Sequence, residues 1–455
     1  MAVLENIVNS VNSFLWDFFL LFALVGTGIW FTLRTKAVQI RYFGKAFKQV
    51  FGNMKLSGEK AGKDGMSSFQ ALATAIAAQV GTGNLAGAAT AIASGGLGAI
   101  FWMWLSAFFG MATNFVEASL AQKYKTVGDD GSVVGGPVYY IQAAFKGGFG
   151  KLLATLFAIF IILACGFIGA MVQSNSMGDA FNNAFGLPPI VMGIIVAVLG
   201  FFIFTGGIGA IASVTEKLVP IMAFFYLIGG IFILITHIGA IPATFADIFV
   251  CAFAPKALFG GVVGTSVQQA IRYGVARGLF SNEAGMGSTP HSHALAKVNH
   301  PCEQGLTAIV GVFIDTFIVL TMTALVIGTT GVLEGEHLTG ISLTQAAFNE
   351  GLGFLGGPFV AISLFFFAFS TIVGWYFFGE QNVRYLLGSK AVKPYSILVC
   401  GFIVLGCVLK VDIVWNMSDM FNGLMVIPNL MGLLALTKVA ANLLDEFEKQ
   451  PAKAK

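Results

Sequence analysis

The chain has 455 residues, of which 56% are hydrophobic and only 10% are charged. Soluble domains carry charge on about a quarter of their residues, so this composition excludes an ordinary soluble protein. The formal net charge of +3 favours no particular partner, because almost every charge falls in a predicted loop. We expect no nucleic-acid partner. The five cysteines show no metal-binding or redox spacing.

Apolar runs of about 20 residues recur along the chain, and each is long enough to cross a bilayer as a helix. They predict an all-α multi-pass membrane protein with about eleven transmembrane helices. The predicted spans are residues 14–33, 68–93, 98–121, 151–172, 189–208, 218–237, 262–290, 306–329, 355–378, 395–409 and 418–437. The segment before the first span carries Glu5 but no lysine or arginine, so we expect a retained helix rather than a signal peptide.

Residues 34–63 form a basic segment with interleaved apolar side chains. This pattern favours an amphipathic helix on the anionic inner leaflet; a solvated basic loop is the alternative. With this side taken as cytoplasmic, the alternating topology assigns 21 lysines and arginines to the cytoplasmic segments and two to the other side. This asymmetry predicts a cell-membrane protein with its N-terminus outside and its C-terminus in the cytoplasm.

Two spans are interrupted by glycine and polar residues, at residues 77–87 in span two and 271–285 in span seven. Non-helical backbone at membrane depth is tolerated only where it lines a cavity, and such a pair of breaks indicates a secondary transporter. The breaks lie five spans apart, so spans 2–6 and 7–11 predict a five-plus-five inverted repeat with discontinuous helices. We expect one transport domain over residues 1–455, with an extra N-terminal part at 1–65 and repeats at 66–240 and 262–440.

In the first break, Gly81 and Gly83 permit backbone angles that end a helix. The exposed amides would suit an anion such as a carboxylate, whereas the carbonyls around Ala77 and Val80 would favour a cation. Hydrogen-bonding side chains accompany the glycines, namely Gln79, Thr82 and Asn84. An unbroken helix packed through Gly83 and Gly87 is the alternative. A nucleotide-phosphate loop is disfavoured because no lysine follows.

Span seven holds several polar residues in an apolar frame: Gln268, Gln269, Arg272, Arg277, Asn282 and Glu283. Intramembrane charges must face a partner or water, and we expect Arg277 to pair with Glu283 or Glu117. A structural or gating role is as well supported as substrate contact. His291 and His293 have an i, i+2 spacing that does not place two metal ligands on one helical face.

Span nine carries the adjacent hydroxyls of Ser370 and Thr371. Hard oxygens of this kind suit Na⁺, although hydroxyls in membrane helices also bond to their own backbone. Trp375 lies one turn beyond Thr371 and is placed to wall a small pocket. Asp315 and Thr316 in span eight are secondary candidates for an ion pathway.

At these residues the chain resembles the alanine/glycine:cation symporter family of prokaryotes. The matching stretches are 81–87, 101–104, 110–113, 135–137 and 274–288, and the similarity extends over nearly the whole length. The resemblance implies the inverted-repeat fold of sodium-coupled amino-acid transporters. It also implies import of alanine and glycine with Na⁺, or with H⁺ in some members.

Carried over to this sequence, the resemblance implies that the substrate carboxylate meets the backbone at Gly81, Thr82 and Gly83, with help from Gln79 or Asn84. The ammonium group would meet carbonyls near Ile271–Gly274 and the Thr371 hydroxyl. The implied Na⁺ ligands are the carbonyls of Ala77, Val80 and Phe367 and the hydroxyls of Ser370 and Thr371. Tyr273 and Trp375 would limit the size of the substrate side chain.

Three function classes compete on the sequence. The first is a cation-coupled symporter of small amino acids, and the second is the same fold carrying another solute, such as a different amino acid or a nucleobase. The third is a different class, an intramembrane enzyme or a channel. An enzyme is disfavoured because no paired catalytic groups are evident, and a channel is disfavoured because the spans are not equivalent. We expect Na⁺ as coupling ion, no organic cofactor, contact with membrane lipid, and function as a monomer.

Overall fold

The computed structural model describes residues 2–52, 61–62, 65–254, 266–409 and 411–450, and these are almost entirely helical. In the first half the helices are α1 (Ala2–Phe14), α2 (Leu20–Arg34), α3 (Val38–Arg41), α4 (Phe43–Gly52), α5 (Ser68–Gln79), α6 (Ala88–Gly95), α7 (Gly98–Lys123), α8 (Pro137–Ala144), α9 (Gly148–Ile161), α10 (Ala170–Phe185), α11 (Pro189–Thr205), α12 (Gly207–Thr236) and α13 (Ile241–Cys251). A small antiparallel hairpin, β1 (Thr126–Val127) and β2 (Val133–Val134), follows α7 and pairs Thr126 with Val134.

The second half continues with α14 (Val267–Asn282), α15 (Pro290–Ala294), α16 (Pro301–Val312), α17 (Thr321–Thr329), α18 (Gly340–Leu352), α19 (Gly356–Leu387), α20 (Val392–Gly406), α21 (Val411–Ala435) and α22 (Thr437–Lys449). Short π-helical turns join α1 to α2, α9 to α10 and α16 to α17 without ending the span. A further π-helical turn, Gly83–Gly87, leads into α6.

Each predicted span overlaps with helix in the part of the chain that is described, but the count of eleven is not confirmed. By length and apolarity, seven described helices qualify as membrane spans, and the pair Ile413–Ala435 and Thr437–Lys449, bent by 58°, makes an eighth. Predicted span five is the shorter apolar helix Pro189–Thr205, and the two broken helices are divided into short segments.

Several helical regions were not predicted as spans, including α8 and α22. Helices α13 and α18 lie outside the predicted spans, and α10 continues to Phe185, well past the predicted end of span four at residue 172. The polar residues that follow this point, Gln173 to Ser176, are buried inside the protein. Because they contact other helices rather than lipid, their polarity does not end the helix.

The two broken helices begin in the same way. Ser67 accepts a hydrogen bond from the Gln70 amide at 3.1 Å, and the Gln70 side chain accepts one from the Ser67 amide at 3.0 Å. Ser266 and Gln269 form the same capping box at the start of α14, with distances of 3.2 and 2.9 Å. Such boxes satisfy two otherwise free amides at a helix start, so Gln269 has a structural role.

Helix α5 and the turn that follows it form the centre of the molecule, where every residue from Gln70 to Ala89 is buried. Small residues let neighbouring helices approach this centre. A Cβ placed on Gly374 of α19 would lie 2.9 Å from the Ala78 side chain. The predicted basic segment forms α3 and α4, and Arg41 pairs with Glu448 of α22 at 2.9 Å; residues 53–60 and 63–64 of that segment lie outside the described residues.

Candidate functional site

The first predicted break is confirmed. Helix α5 ends at Gln79, Val80 has extended backbone angles (φ −84°, ψ 92°), and helical structure resumes at Gly83. The Gly81 amide donates to the Asn84 side-chain oxygen at 2.9 Å, and the Thr82 amide donates to the Gln173 side-chain oxygen at 3.1 Å. Protein side chains thus bind the amides that lipid could not satisfy, and the alternative of an unbroken helix is wrong.

The second break lies later than expected. Helix α14 is regular from Val267 to Asn282, and irregular backbone begins at Glu283, whose φ is 57°. Gly285 and Gly287 continue it with φ of 86° and 82°. The expectation that carbonyls open near Ile271–Gly274 is therefore wrong. Gly274 serves helix packing instead, because a Cβ there would lie 2.4 Å from the Ala99 carbonyl oxygen.

The five oxygens expected to bind Na⁺ lie together where α5 ends against α19. The Thr371 hydroxyl oxygen is 3.0 Å from the Ala77 carbonyl, 3.4 Å from that of Val80 and 3.0 Å from that of Phe367. The Ser370 hydroxyl oxygen is 3.2 Å from the Ala77 carbonyl and 2.8 Å from that of Phe367. All of these residues are buried.

This oxygen cluster has too few protons for its contacts. A hydroxyl carries one proton, yet Thr371 has three carbonyl oxygens around it and Ser370 has two. The two protons can make at most two full hydrogen bonds, so the other three contacts share a proton or bring two oxygens together without one. Hard oxygens assembled in this way are ligands for a hard cation, and the carbonyl end of α5 adds partial negative charge. The donor set fits Na⁺.

Buried polar atoms without a partner surround the first break. Among the described residues, the Thr82 hydroxyl, the Gln173 side-chain nitrogen and the Gln79 side-chain oxygen have no hydrogen-bond partner. A Cβ on Gly81 would lie 2.3 Å from the Thr371 hydroxyl and 3.1 Å from the Gln173 oxygen. Gly81, Thr371 and Gln173 therefore meet at one point, where only a glycine fits. Gln173 was not among the residues predicted from the sequence.

Two predicted substrate residues instead connect the helices around the breaks. The Gln79 side-chain nitrogen donates to the Asn282 carbonyl at 2.7 Å, at the end of α14. The Asn84 side-chain nitrogen donates to the Asp315 carboxylate at 2.7 Å. Asp315 also accepts from Ser281 and Thr316, each at 2.8 Å. Its partners in the described structure are neutral donors, so its part in an ion pathway stays a prediction.

Aromatic rings adjoin the break on its other sides. A Cβ on Gly83 would lie 3.3 Å from the Phe280 ring, which meets Trp375 edge to face with centroids 5.7 Å apart. Trp375 is buried, and its indole nitrogen donates to the Glu283 carboxylate. Tyr273 does not join this group, because it faces a separate cavity of about 540 Å³ that is also lined by Thr90, Asp179, Arg277 and Trp415.

The expected pairing of Arg277 is wrong. Its guanidinium binds both oxygens of Asp419 in α21 at 2.8 Å, beside the cavity, and lies 4.9 Å from the centre of the Trp415 ring. Glu117 instead accepts from the Gly285 amide at 3.0 Å and from Asn429 at 2.6 Å. Arg277 lies six residues before Glu283, more than one helical turn from the second break. Its guanidinium binds Asp419 rather than Glu283 or Glu117.

Lys123, Lys125 and Arg384 lie at one end of the molecule, here called the basic face. Hydrogen bonds between neighbouring segments close this end. The Gln122 side-chain nitrogen donates to the Ala296 carbonyl at 2.8 Å, and Lys125 binds the same carbonyl at 3.0 Å. His291 contacts Asn382 at 2.8 Å and His293 contacts Gln304 at 2.8 Å. No group of three or more metal-binding side chains occurs in the described part of the chain.

Comparisons with known proteins agree with this geometry. The model of the sodium:alanine symporter family matches residues 1–455. The sodium/alanine symporter AgcS of Methanococcus maripaludis is 44% identical, over 98% of this chain and 99% of that protein. A probable sodium/glutamine symporter, GlnT of Bacillus subtilis, is 40% identical over 98% and 91%. A solved Na⁺-coupled sialic acid symporter shares the fold at 14% identity, with a TM-score of 0.60 over 89% of this chain and 86% of that one.

Proposed function

We propose that this chain, which belongs to the sodium:alanine symporter family, imports alanine and glycine across the cell membrane together with Na⁺. The observation that carries the proposal is the oxygen cluster between α5 and α19, directly beside the unpartnered polar atoms of the first break. An ion and a small zwitterion would thus bind on either side of Gly81. Alternating access of this site to the two faces would move both solutes together.

In this proposal Na⁺ binds the carbonyls of Ala77, Val80 and Phe367 and the hydroxyls of Ser370 and Thr371. The surplus of oxygen contacts over protons supports it. A bound cation would draw the end of α5 onto α19 and hold the break in its extended form. Loading the ion would therefore favour the backbone geometry to which the amino acid binds, which is coupling by linkage.

The amino acid would lie between the two breaks with its charges matched to the helix ends. Its carboxylate would face the start of the Gly83 turn, with Thr82 and the unpartnered Gln173 nitrogen as donors, because helix N-termini favour anions. Its ammonium group would face the carbonyl end of α14, which lies close: a Cβ on Gly83 would be 3.1 Å from the Ser281 Cα. This assignment replaces the carbonyls of Ile271–Gly274, which remain within the helix.

The aromatic rings beside the first break favour a substrate with a small side chain. Phe280 and Trp375 lie where the substrate Cβ would point, and both are buried. A methylene group that does not fit a pocket costs about 10–200-fold in specificity, so we expect alanine and glycine to be carried in preference to longer amino acids. The relative named as a probable sodium/glutamine symporter makes glutamine the competing candidate.

The orientation in the membrane follows from charge. The asymmetry of 21 lysines and arginines against two predicts that the basic face lies in the cytoplasm. The cavity of about 540 Å³ that includes Tyr273 and Arg277 would then lie in the outer half, above the first break. Hydrogen bonds close the basic face, so this arrangement corresponds to a conformation that receives substrate from outside. Function as a monomer remains a prediction.

Uptake of radiolabelled alanine into proteoliposomes tests the proposal. Vesicles receive an inward Na⁺ gradient, an inward K⁺ gradient of equal size, or an inward proton gradient, and unlabelled glycine and glutamine compete in parallel. The proposal predicts accumulation with Na⁺ and competition by glycine. Uptake of neither alanine nor glycine under a Na⁺ or proton gradient would reject it, and stronger competition by glutamine than by glycine would favour the alternative.

A further inference from the structure

Glu283 holds an unusual backbone conformation at the end of α14. Its φ of 57° is left-handed, a backbone region that is unfavourable for residues other than glycine. The sequence places glycines at 285 and 287 for the same conformation but a glutamate here. The side chain is 1% exposed. Such strain persists where the surroundings require that residue. We therefore expect the carboxylate of Glu283 to have a role of its own.

The carboxylate of Glu283 reaches across to α19. One oxygen accepts the hydrogen bond from the Trp375 indole nitrogen, and the other accepts from the Ser288 hydroxyl at 2.5 Å. The carboxylate only accepts hydrogen bonds and so cannot cap the carbonyls at the end of its own helix; the backbone amide of Glu283 donates to the Leu279 carbonyl at 2.9 Å. Helix termination therefore requires only the backbone of this residue, and the side chain has another role.

The six-membered ring of the Trp375 indole lies against Gly169. A Cβ on Gly169 would lie 2.4 Å from two carbons of the indole ring, so any larger residue would push the ring away. Gly169 is one helical turn before Gln173, and Trp375 is one turn after Thr371. Because Gln173 and Thr371 meet at Gly81, the indole forms the next layer of the site towards the basic face.

We propose that Glu283 is a positioning residue that sets substrate size: its carboxylate fixes the Trp375 indole against Gly169 as the wall of the amino-acid pocket. This inference rests on the proposed function, since it specifies which side chains that function accepts. Glu283 does not itself touch the substrate. Without its acceptor, the indole turns aside and the pocket admits longer side chains. A larger residue at 169 has the opposite effect, because it pushes the indole into the pocket.

The test measures selectivity in proteoliposomes, as the ratio of KM for glutamine to KM for alanine. Glu283→Met removes the acceptor at similar volume, and Glu283→Gln keeps a carbonyl acceptor. Trp375→Phe removes the donor from the other side. The matched control is Trp104→Phe, which removes an indole hydrogen bond to Thr321 of 2.8 Å in another part of the protein. Gly169→Ala tests the opposite effect, a smaller pocket, and is measured as the ratio of KM for alanine to KM for glycine.

We expect Glu283→Met and Trp375→Phe each to lower the ratio about tenfold, within the usual worth of side-chain discrimination, and the double variant to add little, because both remove one interaction. Glu283→Gln and Trp104→Phe should stay near wild type, and Gly169→Ala should favour glycine over alanine. An unchanged ratio in Glu283→Met, or an equal loss in Glu283→Gln, would overturn the inference. If Glu283→Met does not fold, Glu283→Leu, which also removes the acceptor, decides. A wild-type protein without alanine uptake would instead reject the proposed function.

Discussion

Replacing Thr371 by valine tests the proposed Na⁺ site with little change of shape. Valine keeps the branched Cβ in the same volume but removes the oxygen that lies 3.0 Å from the carbonyls of Ala77 and Phe367 and 3.4 Å from that of Val80. The cation loses one ligand of five. A hydrogen bond to a charged group is worth about 1.5–3 kcal/mol, and we take a lost oxygen ligand as comparable.

That free energy corresponds to a rise of about 10–100-fold in the Na⁺ concentration that gives half-maximal uptake. The assay is alanine uptake against Na⁺ concentration, with ionic strength held constant by choline. Thr329→Val is the matched control, because that hydroxyl is buried and donates only within its own helix, to Leu325 at 2.7 Å and Val326 at 3.4 Å. An unchanged Na⁺ titration in Thr371→Val would refute the reasoning and remove this residue from the site.

Three further predictions concern the break, the carboxylate donor and the basic face. Gly83→Leu should abolish alanine binding while the protein still inserts in the membrane, because a Cβ there already lies 3.1 Å from the Ser281 Cα; retained affinity would mean that no pocket lies there. Gln173→Leu removes the acceptor of the Thr82 amide and should raise the KM for alanine about tenfold, the worth of a hydrogen bond to a charged group; an unchanged KM would exclude it as a substrate ligand. Burial would raise the pKa of Asp130, but hydrogen bonds from Ser132 and Arg384 lower it to about 2. Its stabilisation should thus be complete above about pH 4 and vanish as pH falls towards 2. Asp130→Asn should lower the Tm by about a degree or two at pH 6 and match wild type near pH 2; an equal deficit at both pH values would contradict this.

The first break could be predicted from sequence because its signals are local. Two glycines two residues apart, with polar neighbours inside an apolar run, have few explanations in a membrane helix. In the structure α5 accordingly ends at Gln79, and helical backbone resumes at Gly83. The oxygen cluster was predicted through the family resemblance, and the geometry agrees with it because Gly374 lets α19 approach α5 closely.

The second break could not be located from sequence because glycine has two uses in this helix. Gly274 and Gly278 allow α14 to pack against α7, whereas Gly285 and Gly287 adopt left-handed angles. In the sequence alone, a glycine that packs against a neighbouring helix cannot be distinguished from one that adopts left-handed backbone angles. The long-range pair of Arg277 with Asp419, 142 residues apart, was missed for a related reason, since sequence distance says nothing about which helices are neighbours.

Gln173 was missed because span four was ended too early. The polar run that begins there resembles the end of a membrane span, yet the helix continues to Phe185 within the protein. The available signal was the length of the polar helix-forming stretch before Gly186. A buried continuation of the span would have placed Gln173 near the middle of the membrane. Polar side chains at that depth indicate a functional site.

Reciprocal binding of Na⁺ and alanine tests the central claim most directly, namely that one broken helix holds the ion and the amino acid next to each other. Alanine affinity is measured on purified protein with and without saturating Na⁺, and Na⁺ affinity with and without saturating alanine. We predict that each solute tightens the other by the same factor, about 5–150-fold, as linkage requires. Alanine affinity that is the same in Na⁺ and in choline would contradict the account.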